Sequence, residues 1–234
     1  MENEFSRLQM LIGPAKMQKL AKAKVALVGV GGVGGYALEA LVRSAVGNIY
    51  IIDHDDISLT NLNRQLVSNI NNIGNSKVEE YKERALSINK NINIVASKIY
   101  ITKDNIEEYI PKDVDYIIDA IDTVTSKLQL ISFAKENNIP CISCMGTGNK
   151  LNPCMLEVTD ISKTSMCPLA KVVRKELRNM GINHLKVVYS KEEPIKPLEM
   201  LDKSCKAGSA AFVPAAAGLI ISSEVVKDLV AIED

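Results

Sequence analysis

The 234-residue sequence predicts an α/β protein: a doubly wound, mostly parallel sheet with a C-terminal extension of mixed strands and helices. Three observations carry this. Short apolar runs over residues 1–146 are separated by helical patterns, as in a parallel sheet covered on both faces. The first run feeds a glycine cluster that opens a helix, "VALVGVGGVGGYALEALV". After Gly146 the alternation weakens and the elements become mixed.

The elements follow in order. Residues 7–22 read as a helix, with Leu8, Leu11, Ile12 and Met17 apolar. A strand over 24–30 precedes the glycines, and the next helix runs to Ser44. "NIYIID" is a second strand ending at Asp53, and the polar stretch 54–63 leads to Arg64 and Gln65. "NSKVEEYKERALSIN" is a helix capped by Asn75 or Ser76. "NINIVASKI" and "VDYIIDAID" are strands, the latter ending in acids; "SKLQLISFAKENN" is a helix and "PCISCMG" a fifth strand. Beyond it, "LEVTDI" and "HLKVVYS" read as strands flanking the amphipathic helix "PLAKVVRKELRNM". Residues 191–208, with Pro194, Pro197 and Gly208, read as a loop, and a last helix runs from Ser209 to Val230 with a bend at Pro214. The chain is read as one domain, with a nucleotide-binding core over 1–146 and a substrate-side extension over 147–234.

Composition narrows the function. Lys+Arg and Asp+Glu are both 28, so the neutral chain is no bulk polyanion binder, and a nucleic-acid partner needs a local basic patch. Cys141, Cys144, Cys154, Cys167 and Cys205 are odd in number, and "MENEFSRLQM" lacks the pattern of a secretory leader. Reduced thiols in a cytoplasm are expected, a location compatible with peripheral membrane association. Cys141 and Cys144 form one CxxC without a second, half of a structural zinc signature, and read as thiols at the end of a buried strand. "AAFVPAAAGLIISS" is too short to span a bilayer, so no transmembrane segment is expected.

Gly29, Gly31, Gly32 and Gly34 follow a strand and open a helix, a cradle for phosphate. Asp53, ending the second strand, suits a ribose hydroxyl pair. Both features fit an NAD(P) oxidoreductase as well as an ATP enzyme. The residues behind Asp53 separate the two. "DHDDISLTNLNRQL" sets Asp55, Asp56, Asn61, Arg64 and Gln65 close by, and "GNSKVEEY" adds Lys77 at a helix start. An Arg and a Lys aimed at one phosphate cluster suit a leaving pyrophosphate, whose charge must be neutralised. "DAIDT" puts Asp119 and Asp122 at the carboxyl edge of the sheet, and carboxylate beside polyphosphate implies Mg²⁺. No GxxxxGK[ST] occurs, which excludes a Walker-type ATPase.

Taken together, GxGGxG, D-x-D-D-x-x-x-x-N-x-N-R-Q, G-x-x-K and D-x-x-D resemble the ubiquitin-activating (E1-like) superfamily from about Arg7 to Asp122. The resemblance implies that Asp53 binds the ATP ribose, that Asn61, Arg64, Gln65 and Lys77 surround the phosphates, and that Asp122 holds Mg²⁺. It implies that Arg7, in "FSRLQML", reaches across a homodimer interface to the γ-phosphate. It also implies that the small-residue face of the last helix packs on a subunit partner. Sulfur-carrier activators commonly carry two CxxC pairs for zinc, and here the later pair is absent. "CMGTGNKLNP", "VTDISKTSMCPLAKVVRKELRNMGI" and "VVYSKEEP" instead resemble the branch of tRNA threonylcarbamoyladenosine dehydratases, which cyclise a threonylcarbamoyl group at adenosine 37. The resemblance then covers essentially the whole chain, and a protein adenylyltransferase acting on a ubiquitin-like sulfur carrier is the alternative.

The residues permit that chemistry. ATP would adenylate the threonyl carboxylate, and the neighbouring carbamoyl group would close a five-membered ring and expel AMP. Ring closure is intramolecular, so proximity can supply up to about 7–11 kcal/mol of the barrier. A tRNA partner, with no role for DNA, is supported by Lys171, Arg174, Lys175 and Arg178, which fall on one helical stripe. Between Lys163 and Lys186 six Lys/Arg oppose one Glu, while Leu169, Val172, Val173, Leu177 and Met180 would face the core. Cys205, between Lys203 and Lys206, stands where some E1-like proteins carry a thioester-forming cysteine. Cyclisation needs no thiol, so Cys205 reads first as a helix-start cysteine or a loop thiol at the rim of the site. His54 reads as an exposed loop histidine. A monovalent cation near the later loops and a sulfur-transfer or redox partner protein are further expectations, with no ligands assigned.

Overall fold

The computed structural model describes residues 2–199 and 207–232. Seven strands form one sheet: β1 (Lys24–Val28), β2 (Asn48–Ile52), β3 (Asn93–Ser97), β4 (Tyr116–Asp119), β5 (Cys141–Cys144), β6 (Leu156–Asp160) and β7 (Lys186–Ser190). Their order is β3-β2-β1-β4-β5-β7-β6. All pairings are parallel except β6 with β7. The order reverses between β1 and β4, which opens a crevice at their carboxyl ends.

The apolar runs were expected to be buried on both faces, and β1 shows it residue by residue. Val25 and Leu27 join one core with α1 (Ser6–Lys22), α2 (Gly34–Arg43), α3 (Lys77–Ile88) and α7 (Phe212–Val230). Ala26 and Val28 join the opposite core with α4 (Ile106–Tyr109) and α5 (Val124–Glu136). A third cluster seats α6 (Pro168–Asn179) through Ala170, Val173 and Leu177 against β7. The short α4 has no counterpart in the sequence reading, because four residues are too few to display a helical period.

Several expectations need correction. The first strand ends at Val28, not residue 30, since Gly29 has φ +89° and turns the chain. The first helix breaks at Gly13, φ +81°, followed by Pro14. The last helix starts at Phe212 rather than Ser209, and Pro214 causes no bend there because it lies in the first turn, where no intrahelical N–H is missed. Part of its small-residue face packs inside the chain, while Phe212 and Leu219 stay exposed. A Cβ at Gly218 would lie 2.3 Å from the Val33 carbonyl oxygen, and Ser222 Oγ donates to the Ala37 carbonyl at 2.8 Å. Thus α7 clamps the start of α2, the helix the glycine loop opens. On α6, Val172 and Met180 are exposed, so the buried stripe is narrower than expected.

On the outer side of α2, Glu39 receives hydrogen bonds from Arg43 and Arg84. Burial alone would raise its pKa; the two guanidinium groups outweigh that and hold it below 4.5. A depressed carboxylate stabilises the fold above its unfolded pKa, and the contribution is lost as pH falls through the lower folded value. Glu39→Gln is therefore expected to lower the melting temperature at pH 7. The gap to wild type should narrow as pH drops below about 4.5, the range of an unperturbed Glu. A gap independent of pH in thermal melts would contradict the assignment.

Candidate active site

The crevice between β1 and β4 holds a cavity of about 280 Å³. The glycine loop forms its floor. Gly29 adopts a left-handed conformation that a side chain would strain, and its N–H donates to the Ile52 carbonyl at 2.8 Å. At Gly34 a Cβ would lie 1.8 Å from the Gly29 carbonyl oxygen, so only glycine lets α2 begin this close to the loop. No side chain caps α2; Gly35 N–H donates to the Gly31 carbonyl at 2.9 Å and Ala37 N–H to the Val33 carbonyl at 3.0 Å, and the positive end of the helix still favours an anion.

Asp53 follows β2 and lines the cavity. One carboxylate oxygen accepts from Val30 N–H at 2.8 Å and the other from Asp55 N–H at 2.9 Å. It therefore shapes the glycine loop as well as facing the cavity. Lys77, the first residue of α3, is 4 % exposed, and its ammonium lies 2.7 Å from Asp55. Ser76 caps α3 by position without a side-chain hydrogen bond. Asn61 closes a tight turn by accepting from Ser58 N–H at 3.0 Å, leaving its amide donor on the cavity wall. Arg64 donates to the Thr60 carbonyl and to Asn63 Oδ1. It has no carboxylate partner among the described residues. The Gln65 side chain lines the cavity, with a buried Oε1 that has no hydrogen-bond partner among the described residues. Gly31, Gly32 and Asp122 complete the set that the sequence placed around the phosphates.

Asp119 does not join them. It is fully buried and paired with Lys127 at 2.7 Å, so the DxxD motif offers the cavity one carboxylate rather than two. Asp122, exposed on the wall, accepts from Thr123 Oγ1 at 3.4 Å. Donor atoms of Asp53, His54 and Asp55 lie within 4.8 Å of one another, but Asp53 is engaged by backbone N–H groups and Asp55 by Lys77. His54 is exposed as expected, 3.2 Å from Asp55 and edge-on to the Tyr100 ring. His184 finds a neighbour in Asp160 at 3.4 Å, which the sequence did not reveal.

Sequence reasoning missed other parts of the wall. Ile99, Tyr100 and Ile101, just past β3, and Ser126 from α5 line it, as do Thr147, Ser209 and Pro214 from the later half. Of the first group, Ile99, Tyr100 and Ile101 follow a strand's carboxyl end, a position the parallel pattern already marks as ligand-facing. The second group carries no local signal. Asn63 draws it in by donating to the Ser209 carbonyl, 146 residues away.

Arg7 is exposed on α1 and does not line this cavity. Cys205, Lys203 and Lys206 lie outside the described residues. Cys141 and Cys144 sit on β5 as read, and burial pushes the Cys144 thiol up to about 12, which makes it a poor nucleophile. On α6, Lys171, Arg174, Lys175 and Arg178 line a separate groove of about 330 Å³. Arg174 is partly spent on the fold, donating to the Thr164 carbonyl at 2.8 Å. Lys186 is likewise paired with Glu224 and Asp228, so the free basic surface is smaller than the sequence count.

Comparison with known proteins matches these features. The model of the ThiF family fits residues 5–234. A Bacillus subtilis tRNA threonylcarbamoyladenosine dehydratase is 41% identical over 98% of this chain and 95% of its own length. The crystal structure of the Escherichia coli tRNA N6-threonylcarbamoyladenosine dehydratase in complex with AMP superposes with TM-score 0.91 at 33% identity, covering 97% of this chain and 94% of that one. The same enzyme in complex with ATP gives TM-score 0.90 over the same shares. The chain belongs to the ThiF family.

Proposed function

We propose that this protein is an ATP-dependent tRNA threonylcarbamoyladenosine dehydratase. It adenylates the threonyl carboxylate of threonylcarbamoyladenosine at position 37 of tRNA and closes it to the cyclic form, releasing pyrophosphate and AMP. The observation that carries this reading is the convergence of Asp53, Asn61, Arg64, Gln65, Lys77 and Asp122 on one cavity floored by the glycine loop. An NAD oxidoreductase would use only the loop and Asp53. The similarity to named dehydratases along nearly the whole chain supports the tRNA substrate over a sulfur-carrier protein. A tRNA substrate in turn implies the cytoplasm. No helix among the described residues is long and apolar enough to cross a membrane.

The roles follow from the geometry. Asp53 accepts the ribose hydroxyls while its backbone bonds keep the loop open. The N–H groups at the start of α2 receive phosphate oxygens. Arg64 and Lys77 stand on the wall to neutralise the departing pyrophosphate, and binding draws Lys77 away from Asp55. Asn61 and the Gln65 amide hold the phosphate chain in line. Asp122 fits a divalent metal: it is an exposed oxygen donor on the wall with no cation partner among the described residues. Mg²⁺ held there would neutralise phosphate charge. Once the mixed anhydride forms, the neighbouring carbamoyl group attacks its acyl carbon, the bond to AMP breaks and the carbamoyl N–H proton passes to solvent, so no enzyme nucleophile is required. Residues 1–146 serve the nucleotide, 147–234 the substrate side and dimerisation, with Arg7 contributed to a partner's phosphates. A monovalent cation at the later loops is part of the same reading.

The test is AMP and pyrophosphate formation from ATP with threonylcarbamoyl-modified tRNA, with a Gly-Gly carrier protein, and with neither. Only the modified tRNA should stimulate it. Stimulation by the carrier instead would favour the alternative adenylyltransferase.

The α6 groove is the proposed phosphate seat for tRNA. Lys171→Glu with Lys175→Glu spares Arg174, which holds Thr164. The double variant should weaken tRNA binding and reduce the slope of log affinity against log salt by about one for each phosphate left without its lysine. ATP binding should be unchanged. Unaltered tRNA affinity in a filter-binding titration would end this assignment.

A further inference from the structure

Behind the cavity wall lies a closed polar network that the roles above leave unused. Lys127, in the first turns of α5, is fully buried. Its three donors meet three acceptors: Asp119 Oδ2 at 2.7 Å, Ser143 Oγ at 3.1 Å and the Cys144 carbonyl at 3.0 Å. Ser143 Oγ donates in turn to Asp119 Oδ2 at 2.5 Å, and Asp119 Oδ1 accepts from Ile121 N–H at 3.1 Å. A fully satisfied buried network is rigid. An ion pair this deep is a weak device for stability, because desolvation offsets the attraction and apolar residues of similar volume often do as well. What it achieves is geometric: the ends of β4 and β5 and the start of α5 are tied to one point.

That point controls the turn 120–123, which carries Asp122 to the cavity. The turn is also pressed on the glycine loop. Ala120 N–H donates to the Val28 carbonyl at 2.9 Å, and a Cβ at Gly29 would lie 2.7 Å from the Ala120 carbonyl oxygen. A shift in the network therefore moves Asp122 and one wall of the phosphate cradle together.

We propose that Lys127, Asp119 and Ser143 are positioning residues that set the pose of turn 120–123, and with it Asp122, for adenylyl transfer. This rests on the adenylation reading above. Two variants of the full chain test it. Asp119→Asn with Lys127→Met removes both charges together, so no lone buried charge remains. Ser143→Ala keeps the ion pair and removes one bond. For the charge-free double variant, kcat for AMP formation should fall about 10- to 100-fold, the size of loss that a small misplacement of reacting groups produces. KM for ATP should change far less, since Asp53 and the loop N–H groups are untouched. Backbone hydrogen exchange at 120–123 should accelerate in both variants, with Ser143→Ala showing the smaller effect on kcat. Wild-type kcat together with unchanged exchange at 120–123 would overturn the proposal. If the double variant fails to fold, Ser143→Ala alone decides by the same two readouts. If wild-type protein makes no AMP with any acceptor, the adenylation reading fails, while exchange at 120–123 still tests the positioning.

Discussion

Lys77→Met should reduce AMP formation by about 10²- to 10³-fold, the loss seen when one preorganised group that stabilises transition-state charge is removed. Lys77 is nearly buried at the first position of α3, so its ammonium is presented with little freedom. Methionine retains much of the apolar stem and removes the charge. The partner left behind, Asp55, is half exposed in its side chain and can be solvated by water, so the fold should melt close to wild type. The measurement is single-turnover AMP and pyrophosphate release beside a thermal melt. Turnover within tenfold of wild type, with the melt intact, would remove Lys77 from the phosphate site.

The second large effect is structural in origin and functional in outcome. Gly34→Ala puts a methyl group 1.8 Å from the Gly29 carbonyl oxygen and 2.9 Å from its carbon, both backbone atoms that cannot rotate away. Either α2 retreats from the loop or the loop leaves its left-handed turn. Overpacking of this kind costs about 1–3 kcal/mol. The larger consequence is loss of the cradle. ATP at one hundred times its Kd should stabilise the wild-type fold by about 2.7 kcal/mol, and the variant should gain almost nothing. Gly31→Ala is the control, because the nearest atom to its Cβ is Gln65 Nε2 at 3.7 Å, so the fold should melt normally. Equal ATP-induced shifts in wild type and Gly34→Ala would show that the cradle does not depend on this close approach.

The two variants also mark what is written locally in the chain. Gly34 and Lys77 are legible because their meaning depends on near neighbours: a strand before, a helix after, a carboxylate some twenty positions away. Asp119 is legible only halfway. Its place at the end of β4 follows from the apolar run, yet the motif suggested a second cavity carboxylate. Burial by α5 and Lys127 decided otherwise. The basic stripe on α6 shows the same split. Helical spacing puts Lys171, Arg174, Lys175 and Arg178 on one side, whereas the use of Arg174 depends on the Thr164 turn lying beneath it.

By itself the sequence determined the order of the strands and the longer helices, the glycine loop and the family, and it pointed to residues that line the cavity, because strand and helix periods and motif spacings are properties of short segments. The tertiary structure alone decided which polar groups are spent on the fold. It gave the small-residue face of α7 to α2, through a hydrogen bond between Ser222 and Ala37 that spans 185 positions. It brought Ser209 to the cavity through Asn63 and closed Lys127 on Asp119 and Ser143. A buried donor takes whichever acceptor packing delivers within hydrogen-bond reach, and that choice is made between segments whose separation along the chain carries no periodic trace.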